Sequence, residues 1–405
     1  MDIINKISPS KKERENVSKV INDFLKKIKP KLREYKLVIG GSMGKDSWLT
    51  GDHDVDIFVK FPKSYYKKDI SKVLQERLKG IKFQVINGSR DYLQVKQGSY
   101  LFEIIPVIDI KRHEDALNIT DVSPLHVIWV KKNNKNSDEI RLTKAFLKAN
   151  NLYGAESYKK AFSGYVVELL TIYYDGFRNL ITEASDWKEL VVIDLSKFYK
   201  NKKEVLNNLN KDKLSSLILI DPVQPNRNAA ASLSQGKFNE FIELCKKYSR
   251  NPSEKFFIEK KFNVNELKEK YSKYDVIVLK AKELQGKEDV VGSKLLKAFN
   301  YIKDKLIKEG WKIKEANWKW NNDVLFYYVI EKKKLSKELV HYGPPKKMEE
   351  YVEQFKKKWK NHKILQDNYH VYIKLKRKYT EIKPFVKALL KDKYLKNLVK
   401  NIKVK

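Results

Sequence analysis

The sequence predicts a multidomain protein of mixed α/β (α+β) class, on three observations. Short apolar runs alternating with polar residues are interleaved with amphipathic stretches up to about residue 135. A helical period then dominates from 139 to about 250, and strand-like apolar runs return after 255 in a strongly basic setting. At 405 residues the chain is too long for one comfortable core and implies about two to four domains. We place them at 1–138, 139–254 and 255–405.

Taken in order, Ser10 is the expected cap of a helix whose apolar stripe is Val17, Ile21, Phe24 and Leu25, with Glu13 at the capping-box position. Leu37, Val38 and Ile39 read as a short buried strand stopping at Gly40-Gly41-Ser42, where bare backbone N–H groups can approach a phosphate. In the following run, Val55, Ile57 and Val59 alternate with Asp54 and Asp56, so a strand here buries one face and shows both carboxylates on the other. Two acids on one face can share a metal ion. A helix is expected over 69–78 and strands over 83–86 and 92–95. The apolar run over 100–106 carries one acid, Glu103, and is expected to end at Pro106, which cannot continue a central ladder. A lone carboxylate there must be paired, metal-bound or at an exposed edge. Asp109, beyond the proline, is the rival third ligand.

The middle region shows three helical stripes: Leu142, Phe146 and Leu147; Val166, Leu169, Leu170 and Tyr173; and Phe238, Phe241, Ile242 and Cys245. Between them lie short apolar runs at 191–193 and 217–220. Later, strand-like runs at 276–279 and 324–330 flank an amphipathic helix through Leu295, Leu296, Phe299, Ile302 and Leu306, with Trp311, Trp318 and Trp320 expected in core or interface before base stacking.

Charge narrows the function. Lys and Arg number 85 against 51 Asp and Glu, a net +34, which implies a polyanionic partner. Residues 331–405 alone carry net +15. Cys245 is the single cysteine, excluding internal disulfides and Cys-rich zinc sites, and the six histidines show no ligand spacing. No signal-peptide h-region or apolar run of about 18 residues is seen, so the expectation is a cytoplasmic protein with no membrane partner.

The series of motifs is more specific than any one of them. Strand, Gly-Ser turn, Asp-x-Asp strand, helix and a third acid on a neighbouring strand resembles the nucleotidyltransferase fold of the DNA polymerase beta superfamily. Within it, the segment from Gly41 to Pro62, RLTKAFLKANNLYGAE over 141–156, AFSGY over 161–165, VELL over 167–170, DPVQPNRNAAASLS over 221–234 and HYGPP over 341–345 resemble, in order, the archaeal-type (class I) CCA-adding enzymes. The resemblance implies a polymerase beta-like nucleotidyltransferase head, a mostly helical neck, an α/β body and a basic tail.

By that resemblance, Asp54, Asp56 and Glu103 are catalytic metal ligands, with Mg²⁺ suited to hard oxygens and a phosphate-bearing substrate. The family normally has aspartate at the third position; glutamate is one methylene longer. Ser42 and Lys45 would belong to the phosphate-binding turn, with Lys45 in place of a more usual arginine. Lys144 and Tyr153 would contact the triphosphate, and His126 would lie close to the nucleotide. Arg227 would read the incoming base, or else pair with a carboxylate such as Asp221 or cap the helix beginning near Ser234. Implied partners are ATP, CTP and the acceptor and T-arm half of tRNA, with a homodimer compatible. Two alternatives stay open: a poly(A) or oligoadenylate synthase type of the same superfamily, and a basic RNA-binding protein whose site has decayed.

Overall fold

The computed structural model describes residues 3–259, 262–321 and 323–405. The chain divides into two compact units, Met1–Lys261 and Phe262–Lys405.

The first unit opens with helix α1 (Lys11–Ile28), where the Ser10 side chain accepts the Glu13 N–H at 3.2 Å. The capping box is only half made. Glu13 instead accepts from Thr50 Oγ1 at 2.7 Å and Gly51 N–H at 2.8 Å, tying the helix to the loop before the Asp-x-Asp strand. Strands β1 (Lys36–Ile39), β2 (Asp54–Phe61), β3 (Gln84–Ile86), β4 (Tyr92–Gln97) and β5 (Tyr100–Ile108) form, among the described residues, a five-stranded sheet in the order β1-β2-β5-β4-β3. Helix α2 (Ile70–Arg77), capped by Asp69, lies in the crossover from β2 to its parallel neighbour β5. Val55, Ile57 and Val59 are fully buried against Phe24, Phe102 and Leu74, the burial that fixes the register of β2.

Pro106 does not end its strand. β5 runs on to Ile108, with Pro106 opposite Val59 of β2. The proline is tolerated because β4, on the other side, begins at Tyr92 and its pairing stops at Leu93 opposite Ile104, so no ladder donor is missed at Pro106.

The same compact unit continues through helices α3 (Ile119–Asn133), α4 (Ser137–Ala149), α5 (Gly164–Tyr173) and α6 (Phe177–Ser185). A parallel strand pair follows, β6 (Val191–Asp194) with β7 (Leu217–Ile220), and then α7 (Gln235–Arg250), whose cap is the Ser234 side chain. Their core gathers Phe146, Leu147, Leu169, Leu170, Phe238 and Phe241. Tyr173, expected in the α5 stripe, is instead exposed and lies edge-on to Tyr174.

In the second unit, β8 (Tyr274–Lys282), helix α8 (Glu288–Glu309), β9 (Ile313–Trp320) and β10 (Val324–Glu331) are joined by the last strand of the unit, Asn401–Val404, which pairs with β8. Gly310 ends α8 in the left-handed region at φ 102°, a conformation that favours glycine. Trp311 is buried against Phe385, while Trp318 and Trp320 are half-buried at the edge of the same core. A second sheet pairs Glu338–Pro345 with His370–Lys376, with the helix Glu349–Lys358 beside it.

Candidate active site

After Ile39 the chain leaves β1 through one helical turn, Gly41–Gly44, closed by the Gly44 N–H on the Gly40 carbonyl at 2.6 Å. Gly41 sits at φ 55°, and a Cβ placed on it would fall 1.6 Å from Asp56 Oδ2. The bare backbone at this turn thus makes room first for a carboxylate. Replacing Gly41 by Ala should push Asp56 off its position and lower nucleotide transfer at least tenfold at saturating nucleotide, as expected when a reacting group is misplaced by about 1 Å. Single-turnover assays beside a melting curve check this; wild-type rates in a folded Gly41→Ala protein would refute it.

β2 and β5 set the acids side by side, with Asp56 directly opposite Glu103. Glu103 Oε1 accepts from Gln94 Nε2 of β4 at 3.1 Å. Burial first, then the charges of Glu103 and Asp54, push the Asp56 carboxyl up to about 7 against the pull of Lys45. Glu103 is also raised, by burial and by Asp54, while hydrogen bonds from Gln94 and Tyr92 oppose the shift. This mutual repulsion is what a divalent cation would relieve. Among the described residues no three acidic, histidine or cysteine side chains already form a closed cage. Asp109 lies one residue past β5 and six from Glu103, roughly 20 Å at strand rise, and pairs with Lys60 at 2.5 Å.

Most of the expected nucleotide-binding residues gather on two buried acids. The first is Glu168 of α5, which accepts from Lys45 Nζ at 2.7 Å, Ser47 Oγ at 2.7 Å and Lys144 Nζ at 3.1 Å. Burial alone would raise this carboxyl, but the two ammoniums and the Ser47 hydroxyl hold it at about 2. Burial lowers Lys144 in turn, against the pull of Glu168. Lys144 also donates to the Ser47 carbonyl at 3.0 Å, and the buried Arg141 donates to Trp48 O at 2.9 Å and Asp46 Oδ1 at 2.7 Å. Helix α4 thereby grips the loop that follows the Gly turn. Ser42 lies in that turn, its carbonyl accepting the Ser47 N–H.

Asp221, at the end of β7, is the second acid. Its Oδ2 lies 2.9 Å from His126 Nε2 and 2.6 Å from Arg227 Nη1, and its Oδ1 accepts from the Tyr165 hydroxyl at 3.0 Å and the Val223 N–H at 2.9 Å. Burial would raise it; His126, Arg227 and the Val223 N–H outweigh burial and hold it at about 2. The pairing of Arg227 with Asp221 is the alternative weighed from the sequence, and Ser234 caps α7 with its own side chain. Tyr165 links the two groups, its ring 5.5 Å from Lys45 Nζ and 4.3 Å from the His126 ring. Tyr153 bonds to neither acid; burial and the Glu168 charge raise its hydroxyl, which sits so close to Gly164 that a Cβ there would lie 2.7 Å from it.

Sequence reasoning gave no role to Glu168, Tyr165 or Arg141. The signal for Glu168 was present: an acid inside the apolar run VELL poses the same question as Glu103 in its strand.

Together the mixed sheet and its paired strand carboxylates define a nucleotidyltransferase with a polymerase beta-like fold. Residues 18–190 match the family model of a nucleotidyltransferase domain, 138–258 that of the tRNA nucleotidyltransferase second domain, and 275–404 that of the CCA-adding enzyme C-terminal domain. The chain is 34% identical to a CCA-adding enzyme of Nanoarchaeum equitans over 341 residues, covering 83% of each, and 31% identical to one of Sulfurisphaera tokodaii, covering 85% of this chain and 80% of that one. It belongs to the CCA-adding enzyme family. In fold alone it is similar to solved structures of a cytoplasmic RNA terminal U-transferase and of the RNA terminal uridylyl transferase Cid1, at TM-scores of 0.50 and 0.51, 14% and 15% identity, and 64% of this chain against 97% of each. Nucleotidyltransferases of this fold use divalent metal ions. Among the described residues no helix is long and apolar enough to cross a membrane.

Proposed function

We propose that the protein acts in the cytoplasm to add C, C and A to the 3′ end of tRNA from CTP and ATP. The observation that carries the chemistry is the in-register pair Asp56 and Glu103 on adjacent strands, packed beside Gly41 and faced by Lys45. Asp54 and Asp56 would hold two Mg²⁺ ions and Glu103 the one nearer the primer. Bound there, the ions would stabilise the attacking and leaving oxygens of an in-line displacement.

The chain's own residues do the rest. The tRNA 3′-hydroxyl gives its proton to solvent, its oxygen bonds to the α-phosphorus as the α–β bridging P–O bond breaks, and pyrophosphate leaves. Lys45 and Lys144 share one carboxylate, so their cluster keeps a surplus positive charge to meet a triphosphate beside Ser42 and Tyr153. Asp221 fixes one end of the Arg227 fork, while the side chain stays 32% exposed, leaving donors for acceptors on an incoming C or A beside His126. In the second unit, net +15 over 331–405 suits backbone contacts to the top half of tRNA, recognised by shape more than by sequence.

Labelled CTP and ATP, offered with tRNAs truncated by one, two or three nucleotides, test the reading. Each tRNA should be completed to CCA and stop, with A added only after both C residues are in place. Runs of A added regardless of the truncation would instead indicate a poly(A)-type enzyme.

A further inference from the structure

Strand β4 turns two faces to its surroundings. Leu93 and Val95 are buried in the core, while Tyr92 and Gln94 share the opposite face, the one that carries Asp56 and Glu103 across the sheet. Gln94 is the direct cross-strand partner of Glu103, and its amide donates to Glu103 Oε1 at 3.1 Å. Tyr92 lies on the same face, and its hydroxyl pulls the Glu103 carboxyl down against burial. Neither residue serves the core, and neither carries a charge.

We infer that Gln94 and Tyr92 are positioning residues that clamp the Glu103 carboxylate, so that the longer glutamate presents its oxygens as a fixed metal ligand. The inference rests on the reading of Glu103 as a ligand given above. A glutamate has one more rotatable bond than an aspartate and points less sharply unless held. Two neutral donors fix its direction without neutralising the charge that a cation needs. A cationic partner would compete with the metal, and an acidic one directly opposite would repel Glu103. Partners behind a metal ligand commonly carry about 10- to 100-fold of metal affinity.

The test is a cycle on the full chain, Gln94→Leu with and without Glu103→Asp, with Mn²⁺ as the probe. Mn²⁺ binding to the free protein is followed by electron paramagnetic resonance, beside kcat, the KM values for CTP and for truncated tRNA, and a melting curve. In the native background Gln94→Leu should weaken Mn²⁺ binding about tenfold and lower kcat, with the melting point and the KM for tRNA unmoved. Tyr92→Phe should act in the same direction. In the Glu103→Asp background the carboxylate stops short of Gln94, so the same replacement should change Mn²⁺ binding less than about twofold. Equal losses in both backgrounds, or unaltered Mn²⁺ binding in the native one, would overturn the clamp. Wild-type protein that binds Mn²⁺ with this pattern yet extends no tRNA would leave the clamp standing and remove the proposed substrate.

Discussion

Asp54→Asn and Asp56→Asn should each leave less than a few per cent of wild-type nucleotide addition at saturating metal, while tRNA affinity stays close to wild type. Asparagine has the shape of aspartate but no charge, so it keeps the strand and loses the anionic oxygens that a hard cation requires. Asp56 supplies a second, opposite readout. Its carboxyl is raised from 3.8 to about 7 by burial and by the neighbouring acids, so the folded state binds a proton more tightly than the unfolded chain. Stability therefore falls as pH rises from about 4 towards 7, and at pH 8 without metal the ionised group weighs against folding. The Asp56→Asn protein should melt above wild type at pH 8 and near it at pH 4. Loss of activity with a gain in stability is the mark of a charge kept for chemistry. Substantial turnover in either mutant would remove it from the metal site, and a lower melting point at pH 8 would contradict the electrostatics.

The two strands that matter most were legible because their information is local. Alternation at Val55, Ile57 and Val59 gave a strand with both aspartates on one face, and the fully buried side chains follow it. The extent of β5 was not legible, since whether a proline ends a strand depends on where the neighbouring strand stops, and β4 comes from a different stretch of chain. Tyr173 fits the helical period of α5 and still faces out, because periodicity marks a face without showing how far the packing partner reaches. The partners of the cations were hidden for a related reason. Lys45 and Glu168 are 123 residues apart, and His126 and Asp221 are 95 apart, so their pairing is a property of the assembled core. The resemblance assigned Lys45, Lys144, His126 and Arg227 to the nucleotide, yet only the fold shows that two buried acids organise them.

Glu168→Gln should cost the folded state about 3 kcal/mol or more at neutral pH, since removing one member of a buried ion group strands the charges left behind. Glu168 is 1% exposed and accepts from Lys45, Ser47 and Lys144, leaving two ammoniums without their carboxylate in the variant. Burial opposes its ionisation, but the two lysines win and hold it at about 2 against 4.5 for a free glutamate. For an acid with a lowered folded value, the contribution is complete above the unfolded value and is lost as pH falls through the folded one. The window is thus from about pH 4.5 down to 2. Asp221, held at about 2 from 3.8, adds a weaker loss over nearly the same range. Wild-type protein should therefore unfold steeply in acid. The Glu168→Gln variant, already weakened at pH 7, should lose much less on going to pH 2.5, retaining only the share that belongs to Asp221 and other carboxylates. Urea midpoints for both proteins from pH 7 to 2.5 measure the difference: two curves that stay parallel would mean that Glu168 is not the anchor of the two lysines.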